Sequence, residues 1–590
     1  MLQSKLFPGT LKEDPRNEFS KSSKLLVRAG YIDKVMAGVY NMLPLGWRTL
    51  TKIEDIVREE MDAIGGQEVF LPSLSPRENW IKTGRMDTVD VLFQAQGANK
   101  FSREKNDAEY VLNSTHEEIV TPLAKKFRFS YKDFPLALYQ IQTKFRNEPR
   151  PKSGILRGRE FRMKDLYSFH GSEKDLLEFY EKSKEAYMNV FKRLGLGEDT
   201  YVTLASGGDF TKDFSHEFQT RCPAGEDLVF RSAKKNICYN REIAPSRAPA
   251  KSEKEKEKEK EKVLTEGTKT VDTVTKLLGL EASKIVKTLI FKKKKGFAAA
   301  ALRGDYELNQ EKLEKVLGGE VLVPASAEEI KELTGTEPGY IGLVGLPEDL
   351  PVYFDDSLEN EKNLVTGANE KNHHFANVNF GRDVEKPDEF YDIKMAKEED
   401  FYPETGEKYE TFKASEVGNI FPLNVKFSKA FDYYYTDKNG EKQIVYMGSY
   451  GIGPTRLMGV IVEKFNDEKG IVWPENIAPY QVHLISIGKN DEASKLYSKL
   501  KEEGVEVLYD DREGVSPGQK FAEADLLGCP YRVVISEKTL KEGKLELKKR
   551  SEREVEMVNE EELIKSISKL KTQKSKPQLK TKNRDGQQQY

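Results

Sequence analysis

The chain has 590 residues, 33% of them charged, with a net charge of −3. That length exceeds a single hydrophobic core and predicts three or four domains, while the near-neutral balance excludes a globally basic nucleic-acid binder, so any RNA surface must be a local patch. Three cysteines, Cys222, Cys238 and Cys529, are too few for a disulfide framework; with no apolar run of signal-peptide or membrane-span length, they predict a cytoplasmic protein with no part in a membrane.

In chain order, periodicity predicts amphipathic helices over 20–29 and 45–64; in the second, Leu50, Ile53, Ile56, Val57 and Met61 recur at helical spacing. Gly65 and Gly66 stop it, and QEVFLPSL reads as a short strand ending at Pro72. In VLNSTHEEIVTPL, over 111–123, Ser114 and Thr115 before Glu117 and Glu118 read as a capping box. ALYQIQT, over 137–143, alternates as a strand does, and 161–169 reads as a second, partly polar strand. Between them, 149–158 holds two prolines and two glycines and reads as a mobile, basic hairpin loop. Arg146 and Glu148, two apart on the first strand, point to one face; Arg157, Phe161 and Asp165 follow at fourfold spacing. A nucleotide needs such a set: arginine for a phosphate, a carboxylate for the adenine amino group, a ring for stacking. A charged surface hairpin is the plainer alternative.

Further on, 173–194 is an amphipathic helix, and SGGDFTKDFSHEF, over 206–218, places a glycine pair before a strand with Ser215 and His216. Cys222 and Cys238 lack the spacing and the histidine partners of a zinc site. KSEKEKEKEKEK, over 251–262, has no apolar residue and reads as a short solvated helix or as disorder, marking a domain edge. Residues 263–383 read as a separate α/β unit. After a DKNG turn between two β-rich runs, GSYGIGPTRLMG sets Gly448, Gly451 and Gly453 before Arg456 at the start of an apolar helix: glycines let a nucleotide lie against backbone, and arginine offers charge to its phosphates. From 482 a β-α-β-α-β alternation predicts a parallel-type sheet, and 571–590 reads as a disordered tail.

FRNE, the basic loop and R-x-x-x-F-x-x-x-D resemble motif 2 of the class II aminoacyl-tRNA synthetases, and RPKSGILRGREFRMKDLYSFH is similar to the bacterial-type prolyl enzymes. The helix, strand and proline over 45–72 resemble motif 1, which builds the dimer interface in that family, and GSYGIGPTR resembles motif 3. KTLIFK, LRGDYELN, GYIGLVGLP and GANEKNHHF resemble the family's editing insertion, and DDREGVSPGQKFAEADLLGCPYRVVI its anticodon-binding domain. The resemblance implies a multidomain α/β fold: a class II antiparallel-sheet catalytic core over 1–232 and 391–478, a charged linker over 233–262, an α/β editing insertion over 263–390, an α/β anticodon-binding domain over 479–570 and the tail.

It further implies ATP-dependent ligation of L-proline to tRNA(Pro) through a prolyl-adenylate, releasing AMP and diphosphate, with Mg²⁺ as cofactor and a homodimer as the assembly. Arg146 would bridge the α-phosphate and the proline carboxylate, Glu148 would hold the adenine amino group and Phe161 would stack on the base. Arg157 and Arg456 would hold the outer phosphates, beside Gly451 and Gly453, and Thr115, Glu117, Ser215 and His216 would line the proline site. Lys287, Gly342, Asp355 and one of His373 and His374 would hydrolyse alanine wrongly attached to tRNA(Pro). Such a second site has a physical reason, because a pocket that holds proline rejects a smaller residue by only about 1–3 kcal/mol per methylene. This chain departs from the family wording by extra residues between Gly208 and Ser215, and by Ser449 where relatives carry cysteine. The threonyl and glycyl synthetases, or a non-catalytic paralogue, are the alternative readings.

Overall fold

The computed structural model describes residues 1–208, 210, 211 and 215–574. The chain divides into two compact units: Met1–Tyr201 with Gly207–Glu226 and Ala414–Tyr590, and Val202–Ser206 with Asp227–Lys413.

In the first unit, α1 (Pro44–Ala63) starts with proline at its first position, where the missing N–H costs nothing, and buries Leu50, Ile53, Val57 and Met61. β1 (Gln67–Glu68) follows, shorter than predicted. Next come α2 (Glu117–Phe127), β2 (Leu136–Phe145), β3 (Glu160–His170), α3 (Glu173–Arg193), β4 (Ser215–Arg221), β5 (Glu410–Asn424, in this unit from 414), β6 (Tyr446–Ile452) and α4 (Pro454–Lys464). The strands form one sheet in the order β4-β5-β6-β3-β2-β1, antiparallel except for the β1–β2 pair. Strand pleating sends Phe161, Met163, Asp165 and Tyr167 of β3 to one face and Lys164, Leu166 and Ser168 to the other. Helix α3 covers the second face: Ser172 caps it, and its Tyr187 hydroxyl meets the Lys164 ammonium. The first face is left for the site.

The same unit ends in the parallel strands β7 (Val482–Ile487), β8 (Val507–Asp510) and β9 (Tyr531–Ser536), in the order β8-β7-β9, as the alternation predicts. Two antiparallel strands, Leu545–Lys549 and Glu556–Val558, extend that sheet beyond the prediction. Residues 571–574 continue the helix Glu560–Lys574, and the rest of the expected tail lies outside the described residues. No helix among the described residues is long and apolar enough to cross a membrane.

The second unit carries a four-stranded sheet (Val323–Pro324, Val286–Lys292, Phe297–Arg303, Val352–Phe354) and a three-stranded one (Glu261–Leu264, His373–Val378, Leu364–Gly367). The Lys/Glu run is neither helix nor disorder. It opens with a turn, the Glu255 N–H donating to the Ser252 carbonyl at 3.0 Å, and ends as a strand: Glu361 accepts from the backbone N–H groups of Lys251 and Ser252, Glu255 sits between Lys284 and Asn363, and Glu261–Leu264 joins the three-stranded sheet. The stretch before it is no linker either, since Ile237–Asn240 pairs with Asp227–Ser232. Nearby carboxylates and amides satisfy this backbone, which its own charge pattern could not reveal.

Candidate functional site

A narrow cleft opens on the free face of the first unit's sheet. Its lining includes every residue read from the sequence as ATP-directed: Arg146, Glu148, Arg157, Phe161, Gly451, Gly453 and Arg456. They arrive differently from the expectation. β2 ends at Phe145, so Arg146 and Glu148 stand beyond the pleat; a tight turn, with the Glu148 N–H donating to the Arg146 carbonyl at 2.7 Å, aims them inward. The loop after them is anchored, not free. Ile155 and Leu156 are buried, and the Leu156 carbonyl accepts from Arg456 Nε at 2.7 Å. Arg456 donates a second bond to the Glu416 carbonyl at 2.6 Å, so it is held rigidly at the cleft edge. A Cβ on Gly451 would stand 2.8 Å from Asn419 Oδ1, which excludes larger residues from that wall.

Arg146 is the informative residue. Its guanidinium lies 5.3 Å from the Phe161 ring centre, and among the described residues it has no hydrogen bond or ion pair. Burial and the neighbouring Arg456 both lower its pKa. A cation held in a cleft without a carboxylate of its own is a place for an anion. Arg157 is different: it donates through Nε to Glu148 at 2.8 Å and pairs also with Glu226, so it reaches a phosphate only by giving up one of these carboxylates.

Beneath the cleft lies a buried polar floor. The Ser-Thr-Glu stretch is not a capping box: α2 has no side-chain cap, and the Thr115 hydroxyl donates to the Glu117 carboxylate instead. Glu117 also accepts from Ser449 Oγ at 2.9 Å and from Arg85 at 3.3 Å, and Arg85 reaches Glu118 at 3.0 Å. Burial, with Glu117 beside it, raises Glu118 to about 7 despite Arg85. Tyr167 joins this floor to an inner ion pair, Lys144 with Asp165 at 2.8 Å. The His116 Nε2 faces the Pro72 carbonyl at 2.9 Å, so Nε2 carries the proton and Nδ1 accepts from the Lys144 ammonium. Burial, then Lys144, lowers His116 to about 4. Sequence reasoning missed Arg85, Lys144 and Tyr167, because only the fold brings them to Thr115 and Glu117, and it read Glu118 as part of a helix cap alone.

In the second unit, Lys287 donates to the Tyr306 carbonyl at 2.5 Å, and burial lowers its pKa. His374 is buried, with Nδ1 2.6 Å from the Thr265 hydroxyl and its ring edge-on to Tyr340. Gly342 packs against Gly367 so closely that a Cβ would overlap the Gly367 carbonyl at 1.6 Å. Ile285 bridges Val365 in parallel two residues before Lys287 and Gly367, so the backbones of Lys287, Gly342 and His374 share one neighbourhood.

Two stretches match known family models, residues 265–384 the aminoacyl-tRNA editing domain and residues 481–570 the anticodon binding domain. A proline–tRNA ligase of Sulfurihydrogenibium sp. is 44% identical, over 96% of this chain and 99% of its own length; that of Bacillus subtilis is 39% identical, over 96% and 100%. This chain belongs to the bacterial proline–tRNA ligase family. A crystal structure of prolyl-tRNA synthetase from Cryptosporidium parvum complexed with L-proline and AMP shares the fold, with a TM-score of 0.56 and 14% identity over 96% of this chain and 77% of that one.

Within that family reading, two expected residues fall elsewhere. His216 pairs with Ile420 on the α3 face of the sheet, and its Nδ1 meets the Tyr180 hydroxyl at 2.8 Å, so its ring points away from the cleft. Ser215, one residue earlier, takes the opposite face by pleating and is fully buried. Asp355 is buried and used up by backbone: its two oxygens accept from the N–H groups of Ser357 and Ile393, both at 3.0 Å. It is a cap rather than a reactive carboxylate. His373 is half-exposed and faces Glu370 at 3.1 Å, which leaves His374 as the buried member of the pair.

Proposed function

We propose that the cleft performs the proline activation of this ligase with Arg146 at its centre. The unpartnered Arg146 guanidinium over Phe161 carries this reading. ATP lies with its base against Phe161 and its amino group toward Glu148, the chain of phosphates following Gly451 and Gly453 to Arg456. A proline carboxylate oxygen attacks the α-phosphorus, the bond to diphosphate breaks and its electrons leave with diphosphate. A 2′- or 3′-hydroxyl at the tRNA end then attacks the adenylate carbonyl and AMP departs. No protein nucleophile is needed: the site positions the reactants and neutralises charge. Thr115 and Glu117 take the secondary ammonium of proline, whose two N–H groups suit a hydroxyl and a carboxylate. Mg²⁺ fits as an ion shared with the phosphates: it needs one or two protein carboxylates, and the cleft supplies Glu416, steadied by Asn419 at 2.7 Å. When bound it would offset phosphate charge.

The second unit is the hydrolytic site for alanyl-tRNA(Pro), with Lys287, Gly342 and His374 as its residues. The chain works as a cytoplasmic homodimer. Exposed Phe70, Phe127 and Phe129 flank the short edge strand β1 and the ends of α2 and β2, a face that a second copy would cover. Sedimentation at micromolar concentration should give twice the monomer mass; a monomer would refute the dimer.

ATP–pyrophosphate exchange with each amino acid in turn tests the first site. Exchange should depend on proline, with alanine a weak second substrate, and Arg146→Ala should lower it at least a hundredfold, about 3 kcal/mol. Threonine- or glycine-dependent exchange would defeat the assignment.

A further inference from the structure

Beneath the cleft, two carboxylates share one cation. Glu117 and Glu118 open α2, both fully buried, and Arg85 lies between them, itself only 2% exposed. One terminal nitrogen of Arg85 donates to Glu117 at 3.3 Å and to both oxygens of Glu118, at 3.0 and 3.2 Å. The guanidinium stands 4.6 Å from the Phe210 ring centre, 5.3 Å from that of Trp80 and 5.4 Å from that of Phe427, so three rings fix it in place. The Thr83 hydroxyl donates to Glu118 at 2.9 Å, and the Asn79 amide ties the helix Arg77–Thr83 to the Glu118 carbonyl at 2.9 Å. Glu117 accepts from two hydroxyls besides, those of Thr115 and Ser449.

The neighbouring charges are committed elsewhere. Lys144, on β2, pairs with Asp165, to which Tyr167 also donates, and the His116 ring is neutral. Arg146 feels Glu117 from the cleft and is left for the substrate's carboxylate and phosphate. Arg85 therefore balances one of its two glutamates, and a second negative charge remains in a buried floor. A buried carboxylate without a counter-charge is strongly unfavourable and is relieved by a proton or by a bound cation. We propose that Arg85 and Glu118 are positioning residues of the proline site: Arg85 fixes the Glu117 carboxylate, and Glu118 holds a proton in the empty site that it releases to the buffer when the proline ammonium arrives. The O–H bonding pair stays on the Glu118 oxygen, and the charge of the cluster is the same before and after. Burial raises Glu118 to about 7, which sets the exchange near neutrality.

This exchange rests on the reading that Glu117 takes the secondary ammonium of proline, and the test separates the two. Proline is titrated calorimetrically into the full-length chain in phosphate and in Tris, whose unlike ionisation enthalpies make the heat difference a count of protons. Binding should release about half a proton at pH 7 and almost none at pH 8.5. The Kd for proline should rise about tenfold from pH 8 to pH 6, as protons compete with the ammonium. Glu118→Gln, which keeps an acceptor for Thr83, should abolish the release, flatten that pH dependence and raise the Kd at pH 8 about tenfold. Arg85→Lys, which keeps the charge but loses the fork and its stacking, should raise the KM for proline about tenfold with the KM for ATP within twofold. The proton count in the unsubstituted chain is independent of any variant's folding. No release at pH 7, or a release that survives in Glu118→Gln, would overturn the exchange. Should Glu117→Gln weaken proline binding while the unsubstituted chain releases no proton, the exchange alone falls. Should Glu117→Gln leave proline binding unchanged, the reading of Glu117 falls and the exchange with it.

Discussion

The Tyr167 hydroxyl has one proton and several claims on it. It donates to Asp165 Oδ2 at 2.9 Å, accepts from the His116 N–H at 2.8 Å and lies 3.3 Å from Thr115 Oγ1. With that proton committed to Asp165, the Thr115 hydroxyl is left to donate to Glu117, and the polar floor beneath the cleft acquires one wiring. Tyr167→Phe removes the acceptor of a buried N–H, a cost of about 1–3 kcal/mol, and unties Thr115. The expected outcome is a KM for proline raised about tenfold with the KM for ATP within twofold, read by pyrophosphate exchange. Equal changes in both would show general loosening instead. The family resemblance singled out Thr115 and Glu117, but the sequence could not show that Arg85 and Lys144 converge on this stretch, because their spacing carries no periodic signal. His216 and Asp355 were legible as wording only. Strand pleating turned the first away, and backbone N–H groups consumed the second.

At the scale of elements, the hairpin loop and helix α4 act as one piece. Gly459 faces Leu156 and Ile155, and a Cβ there would sit 2.7 Å from Leu156 Cδ2. The Leu156 carbonyl in turn holds Arg456. Gly459→Leu should therefore push the loop off the helix, at about 1–3 kcal/mol of overpacking, and release Arg456 from the cleft edge. Exchange should fall about tenfold, while circular dichroism stays native and deacylation of alanyl-tRNA(Pro) is retained. A variant with full exchange would show that the loop tolerates the shift. Helices and strands with clear periodicity, such as α1, α3 and β2, stand within a few residues of their predicted bounds. What periodicity could not convey was the role of partners distant in sequence: the loop looked mobile because the helix that anchors it lies some three hundred residues later, and the Lys/Glu run read as a solvated helix or as disorder because Glu361 and Asn363 lie about a hundred residues on.

Across the whole molecule, four of the six histidines, His116, His216, His374 and His483, are lowered to about 4, in each case first by burial. Burial holds each native ring neutral, and a local hydrogen bond fixes its orientation: with the Lys144 ammonium, the Tyr180 hydroxyl, the Thr265 hydroxyl and the Gln3 amide oxygen, which accepts from His483 Nε2. An unfolded chain protonates these rings near pH 6.5. Their stabilising contribution is therefore complete above pH 6.5 and is lost as the pH falls from 6.5 toward 4. At pH 5 the loss is about 2 kcal/mol for each of the fully buried His116 and His483. Glu118 and Asp356, both raised to about 7 by burial, act in the opposite sense, since the native state retains their protons as the pH drops. Global unfolding mixes these contributions, so the decisive measurement follows the rings themselves. In a chain labelled at histidine Cε1 with carbon-13, four signals should keep neutral-imidazole shifts down to pH 5. If those four titrate near 6.5, the rings are solvated and the buried networks around Thr115 and Thr265 are not formed as described.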